Sequence, residues 1–262
     1  MAILEARGVC KRFSTPKGTI SALDGFDLEV DDGEFLAILG PSGCGKSTFL
    51  HMVGGFDRIS DGQILANGDV ITRPGRDRGM MFQGYSLFPW ATLAENIEWP
   101  MKIGGAPKAR REARVQELLT LIGLPQGGPM YPNQLSGGMK QRVALARMLA
   151  LEPKIMLMDE PFGALDAQNR ELLQEELGKI WAQFRRTVLF VTHDIDEAVA
   201  LATRIVVFTS RPGRIKLDIK VDRKGMGFVE FRKSQQFFEL RTQLWESLRE
   251  EVIKARQMDN SK

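Results

Sequence analysis

Cysteine is nearly absent from this chain: 262 residues contain only Cys10 and Cys44. Two cysteines cannot build the disulfide framework of a small secreted domain, and so few fit a reducing compartment. Long apolar runs are missing as well, since no stretch reaches the about 20 residues that a membrane-spanning helix needs. The opening segment MAILEARGVCKRF has neither the apolar core nor the cleavage site of a secretory signal. A cytosolic chain is therefore expected. Charge of one sign is not in excess either: 36 Lys and Arg stand against 33 Asp and Glu, a formal net charge of +3. That balance, without basic clusters, argues against nucleic acid or anionic lipid as the main partner. There is no internal repeat, no low-complexity segment and no long heptad array.

What the chain does have is ordinary core material. With 43% hydrophobic and 26% charged residues, it suits one large domain, or a core with an inserted or appended lobe. The first third reads as short strands joined by turns. Residues 22–30 (ALDGFDLEV) alternate loosely, and 62–71 (GQILANGDVI) carry the tight-turn pair Asn67-Gly68. Between them EFLAILG, Glu34 to Gly40, is almost continuously apolar, the pattern of a strand buried on both faces in a parallel sheet. KIMLMD (Lys154 to Asp159), TVLFVT (Thr187 to Thr192) and RIVVFTS (Arg204 to Ser210) repeat it. Helical spacing lies between: Val115, Leu118, Leu119 and Ile122, stopped by Gly123, then Leu173, Leu177, Ile180, Trp181 and Phe184 after Asp166 as N-cap. Strands alternating with helices predict an α/β fold. The block from about 84 to 150 shows no buried strand and reads as a mostly helical lobe inserted into that core. Beyond Val221, a Gly-rich stretch (KGMGF) leads to a helix from Ser234. Its apolar stripe is Phe237, Leu240, Leu244, Trp245, Leu248 and Val252.

GPSGCGKST fits G-x-x-x-x-G-K-[S/T] directly after a predicted strand. Gly40, Pro41, Ser42, Gly43, Cys44, Gly45, Lys46, Ser47 and Thr48 would together cradle a nucleoside triphosphate. Glycines let the backbone wrap phosphate oxygens, and the following helix offers its positive N-terminal end. Lys46 would reach the β- and γ-phosphates, Ser47 would ligate Mg²⁺, and Thr48 would sit near the α-phosphate. The loop alone does not separate kinases, GTPases and motors. Cys44, beside Lys46 at a helix start, is expected to have a depressed pKa and a reactive thiolate that MgATP shields; otherwise it is an incidental small side chain.

Asp159 and Glu160 end the apolar run KIMLMDEP. One carboxylate there can hold Mg²⁺ through water while its neighbour accepts a proton from an attacking water. The bland alternative is an acidic pair capping a helix. LSGGMKQR, Leu135 to Arg142, offers Ser136 as N-cap of a helix carrying Val143, Ala146 and Ala150. The N–H groups of Gly137 and Gly138 then point outward from a positive helix end. That makes either a second anion grip or an ordinary capped helix start.

The order phosphate loop, Gln83, LSGG, Asp159-Glu160, FGALD (Phe162 to Asp166) and His193 resembles the ATP-binding cassette (ABC) family over about Ile3 to Ile215. The resemblance implies a P-loop NTPase (RecA-like) core with an N-terminal antiparallel β subdomain and an inserted helical subdomain. Residues 1–220 would form the ABC ATPase domain, with the helical subdomain at about 84–150, and 221–262 a short C-terminal helical tail. It also implies two cassettes, identical or paralogous, joined head to tail. The LSGG of one closes over the γ-phosphate held by the other, so each grip serves a different ATP. By the same likeness Glu160 is the general base, His193 contacts the γ-phosphate and Gln83 links the Mg²⁺ site to the transport partner. Asp166 crosses the dimer interface. Phe13 falls where an aromatic stacks on adenine, unless it is a core residue of the first strand. Met139 departs from LSGGQ, but serine and backbone contacts do not depend on it.

With one cassette, no membrane span and no long coiled coil, the chain looks like the separate ATPase subunit of a bacterial importer. GYSLFPWATLAENI after Gln83, LSGGM, FGALDAQNR and RPGRI (Arg211 to Ile215) are similar to the nitrate/sulfonate/taurine importer ATPases. Sugar importer ATPases usually append a β-rich regulatory domain after the cassette, and the short stretch from 221 to 262 is expected to point away from them. Implied partners are a second cassette, integral membrane permease subunits and, indirectly, an extracytoplasmic solute-binding protein. The place would be the cytoplasmic face of the inner membrane, and the cofactors ATP and Mg²⁺. Tyr85, Leu87, Phe88, Pro89 and Trp90 would form a groove for a short helix of the membrane subunit, or else pack inside the helical lobe. A non-transport ABC protein and a lipid or export ABC ATPase are the competing readings.

Overall fold

The computed structural model describes residues 1–16, 18–163 and 165–260; Ala164 of FGALD and the last two residues of the expected tail lie outside them. In chain order the elements begin β1(Ala2–Thr15), β2(Gly18–Asp31), β3(Phe35–Leu39), α1(Lys46–Gly54), β4(Asp61–Ala66), β5(Asp69–Val70) and β6(Arg78–Met81). There follow α2(Leu93–Ile103), α3(Lys108–Leu121), α4(Gly137–Leu149), β7(Ile155–Asp159), α5(Ala167–Phe184) and β8(Thr187–Val191). The chain ends with α6(Ile195–Leu201), β9(Arg204–Phe208), β10(Ile215–Lys220), α7(Phe228–Arg232) and α8(Gln235–Asn260). Contacts divide these into two units, Met1–Gly75 with Gln174–Lys262, and Arg76–Leu173.

In the first unit, β3 and β8 are buried at every position and β9 at four of its five, which is why their sequences show no alternation. β3 runs parallel to both neighbours, with Ile38 opposite Val191 on one side and Val206 on the other. β10 pairs antiparallel with β9. The second sheet of this unit is antiparallel, in the order β2-β1-β4-β5. Register shifts between Ala6 and Lys11 bulge β1 and break its period of two. Asn67 and Gly68 turn β4 into β5 with φ of 53° and 85°, both left-handed, as a tight hairpin turn requires. Phe26 binds the layers together, its ring 4.8 Å from that of Phe49 on α1 and 5.0 Å from that of Phe208 on β9.

The tail corrects one expectation. Phe237 and Leu244 are buried, but Trp245 is 53% exposed, and Glu251 takes the next inward position at 1% exposure. The buried seam of α8 therefore runs at a spacing of seven. A carboxylate is tolerated in it because Ser210 donates two hydrogen bonds to Glu251.

In the second unit, β6 and β7 pair in parallel, Arg78 opposite Ile155 and Met81 opposite Met158. Between them come α2, α3, a short 3₁₀ turn at Pro132–Gln134 and α4, with no strand among the described residues of 84–150. α2 opens with a reciprocal cap: Glu95 N donates to Thr92 Oγ1 at 3.2 Å, and Thr92 N donates to Glu95 Oε2 at 2.7 Å. Fully buried Asn96 pins the preceding loop, donating through Nδ2 to the carbonyls of Phe88, Ala91 and Thr92 and accepting from Phe88 N. Val115, Leu118, Leu119 and Ile122 are buried, as their spacing predicts. No helix among the described residues is long and apolar enough to cross a membrane.

Candidate functional site

β3 and β8 end side by side at their carboxyl edge, where open parallel sheets bind ligands. The phosphate loop leaves β3 there. Gly43 and Gly45 have φ of 73° and 104°. A Cβ on Gly45 would also come within 3.0 Å of Ala22 O, so both backbone and space demand glycine. Lys46 folds back over the loop, donating from Nζ to Gly40 O at 2.8 Å and Pro41 O at 2.9 Å. Ser42, Gly43 and Ser47 are exposed, while Thr48 is half-buried on the first turn of α1.

Cys44 is not the reactive thiol expected. It is 1% exposed, and burial pushes its pKa up, outweighing the pull of Lys46 in the other direction. The side chain turns under the loop, so close to Gly40 that a Cβ there would lie 2.8 Å from its Sγ. Desolvation wins over the helix end because the thiol faces protein.

On the neighbouring strand, Thr192 N donates to Ile38 O at 3.3 Å. Thr192 Oγ1 donates to Glu197 Oε2 at 2.6 Å and accepts from Asp194 N at 3.1 Å. Asp194 in turn caps α6, accepting from the N–H groups of Asp196 and Glu197. His193 is exposed on this stiff corner, at the same sheet edge as the loop. Phe13 is a surface aromatic and not a core residue: it is 39% exposed, with Lys11 Nζ 4.8 Å from its ring centroid.

The second unit repeats the arrangement at the ends of β6 and β7. Gln83 follows one strand and Asp159 with Glu160 closes the other, and Gln83 Nε2 donates to Glu160 Oε2 at 3.2 Å. Asp159 is buried and Glu160 half-buried. Glu160 has φ 45°, a left-handed value that costs a non-glycine residue about 1 kcal/mol, and Gly163 N closes a tight turn onto its carbonyl at 3.2 Å. Ser136 caps α4 as expected, accepting from Met139 N at 3.3 Å. Ser136 and Gly137 are exposed, which leaves the leading N–H groups of α4, unused by any helix turn, at the surface. Asp166 caps α5, and the side chain and backbone N–H of Asn169 lower its pKa.

The loop after Gln83 divides between the two expectations for it. Tyr85, Leu87 and Phe88 are half-buried, whereas Pro89 and Trp90 are exposed. Trp90, 76% exposed, stacks on Phe88 at 5.5 Å, and Phe88 meets Trp99 edge-on at 5.6 Å. Arg147 fastens this cluster from below, donating to Tyr85 O at 2.9 Å and Ser86 O at 2.7 Å.

The Ser47 hydroxyl, Gln83 amide oxygen and Asp159 carboxylate are hard oxygen donors of the kind Mg²⁺ takes. Among the described residues no group of three His, Cys, Asp or Glu could hold a metal ion. RPGRI stood out in the sequence without a structural role, and the fold supplies one: Arg211 Nε donates to Gly43 O at 3.3 Å.

The pattern of the ABC transporter family matches residues 23–163. A nitrate import ATP-binding protein of Synechocystis sp. is 44% identical over 222 residues, 85% of this chain and 84% of that protein. A bicarbonate transport ATP-binding protein of Synechococcus elongatus is 48% identical over 211 residues, 80% of this chain and 76% of that one. Among solved structures, a dimeric ATP-binding cassette in a post-hydrolysis state bound to ADP and Pi superimposes with a TM-score of 0.74 at 34% identity, covering 84% of this chain and 99% of its own. A Clostridium perfringens protein, cbiO1, part of the ABC transporter complex cbiONQ, gives 0.73 at 28% identity, with 84% and 88% covered. The fold is accordingly the α/β fold of the P-loop NTPases. Matched over more than half its length and by relatives of nearly its full length, the chain belongs to the ABC transporter family as an ATP-hydrolysing cassette.

Proposed function

We propose that this cassette is the energising subunit of a solute importer, acting as one of a pair beneath a separate membrane permease at the cytoplasmic face of the membrane. The hydrogen bond from Gln83 to Glu160 carries this reading. It joins the foot of an exposed aromatic loop, suited to a helix of the permease, to a strand-end carboxylate suited to activating water.

In this reading residues 40–48 hold the phosphates of ATP and Phe13 lies against adenine. Ser47, Gln83 and Asp159 would hold Mg²⁺, which would supply positive charge to offset that of the β- and γ-phosphates. Glu160 takes the proton of the attacking water, and His193 contacts the γ-phosphate. Ser136, Gly137 and Gly138 of one chain close over the γ-phosphate of the other, with Asp166 crossing between them. The second grip thus serves the neighbour's nucleotide.

The names of the nitrate and bicarbonate relatives support a solute of similar size: nitrate, a sulfonate, taurine or a related small molecule. The test is a tagged chain purified from native membranes and reconstituted with the permease and binding protein that accompany it. ATP-dependent uptake of labelled nitrate or taurine, and not of a sugar, is expected. Absence of any accompanying permease, or uptake that ignores ATP, would overturn the reading.

A further inference from the structure

Glu251 is an odd residue to bury. Phe237, Leu244 and Glu251 line the inward seam of α8 at 4%, 0% and 1% exposure, and an apolar residue would have continued that seam. A carboxylate withdrawn from water is strongly unfavourable unless its oxygens are met. Here they are. Oε2 accepts from Ser210 N at 2.8 Å and Ser210 Oγ at 3.1 Å, while Oε1 pairs with Lys254 Nζ at 2.9 Å and Lys216 Nζ at 3.1 Å. Burial pushes the Glu251 pKa up, but Lys254, Ser210 and Lys216 outweigh it and hold it down to about 2.

Ser210 belongs to the tight turn 209–214 between β9 and β10. Thr209 closes the turn, donating from N to Arg214 O at 2.9 Å and from Oγ1 to Pro212 O at 2.9 Å. The far side of the turn lies on the phosphate loop. Gly213 N donates to Ala22 O at 2.8 Å, and a Cβ on Gly213 would sit 2.3 Å from Cys44 O. Arg211 Nε reaches the carbonyl of Gly43, the loop residue with φ 73°. A long helix, a turn and the phosphate loop are thus joined through Glu251, Ser210 and Arg211.

We propose that Glu251 and Arg211 are positioning residues for ATP binding: α8, through Glu251 and Ser210, fixes the 209–214 turn so that Arg211 holds Gly43 in its phosphate-binding conformation. The guanidinium also brings positive charge beside the loop. The proposal rests on the reading of residues 40–48 as the loop that holds ATP.

The test is binding of a fluorescent ATP analogue with Mg²⁺, together with steady-state ATPase, on the full chain. Arg211→Ala, Ser210→Ala and Glu251→Gln are each expected to raise Kd and KM for ATP by about 3- to 10-fold with kcat nearly unchanged, the signature of lost uniform binding. Arg211→Lys should recover part of the affinity. The double variant Arg211→Ala/Glu251→Gln should bind no worse than Arg211→Ala, because both act on one turn. A merely structural role would lower the melting temperature and kcat together and leave KM alone. That outcome, additive losses, or wild-type affinity in Arg211→Ala would overturn the proposal. Should Glu251→Gln fail to fold, Arg211→Ala and Ser210→Ala decide the matter. Lys46→Ala separates the premise from the proposal. Wild-type affinity in Lys46→Ala would sink the loop reading itself, whereas lost binding there with none lost in Arg211→Ala would sink only the relay.

Discussion

Gln83 donates to Glu160 across 77 residues of sequence, at 3.2 Å. No local motif makes this pair. It exists because β6 and β7 run parallel with Met81 opposite Met158, so that both strands release their next residues at the same edge. A movement of the loop that begins at Gln83 therefore has a direct route to the carboxylate proposed to activate water.

Replacing Glu160 with Gln keeps an acceptor for Gln83 and removes only the basic oxygen. Turnover should fall by about 100-fold or more, the usual scale of general-base loss, with ATP affinity unchanged. On size exclusion with MgATP the variant should collect as a dimer. Native turnover in Glu160→Gln would end the general-base assignment.

Ser136→Arg puts a long cation at the exposed start of α4. Each chain should still bind nucleotide through its own loop, yet fail to pair in ATP. Light scattering reads this directly, and an ATP-driven dimer of Ser136→Arg would mean that LSGG does not face the neighbour's phosphate.

Trp90 is 76% exposed, so Trp90→Glu should leave the melting temperature and the basal ATPase close to native. Stimulation by the reconstituted permease should be lost. A variant that unfolds, or one still stimulated, would return this ring to a packing role.

Cys44 supplies a test with a sign. Its pKa is raised in the folded chain, so the folded state keeps the thiol proton to higher pH than the unfolded state does. The stability it contributes is complete below the ordinary thiol range and fades as pH rises through the folded value. Cys44→Ser should flatten that alkaline loss in thermal melts. Maleimide at neutral pH should label Cys44 slowly in the folded chain, with or without MgATP, and rapidly in urea. Fast labelling of the folded protein, read by mass spectrometry, would contradict the buried thiol.

Much of this could be read from the chain. β3, β7 and β8 announce themselves because five successive buried residues leave no room for polar alternation. The phosphate loop is legible because its glycines are demanded by backbone shape. β1 was less so: Lys11 and Arg12 sit in it, and its bulges shift the period partway along. β6 is four residues long and includes a glycine whose Cβ would strike Met148, so its identity lies in packing rather than pattern. The exchange of Trp245 for Glu251 was decided by the N–H of Ser210, 41 residues away. For Cys44 the local arguments had the right direction and were outweighed by burial, a property of the folded neighbourhood and not of GPSGCGKST.

The left-handed backbone at Glu160, φ 45°, sets heat tolerance against turnover at a single position. Glycine would relax the chain there, and asparagine nearly so. Neither could stand in for the base that Glu160 is proposed to be. Glu160→Gly should melt no lower than the native chain while losing about 100-fold or more of its turnover. Selection for surviving heat alone would therefore not keep glutamate at this position; on the reading proposed above, only selection for turnover would.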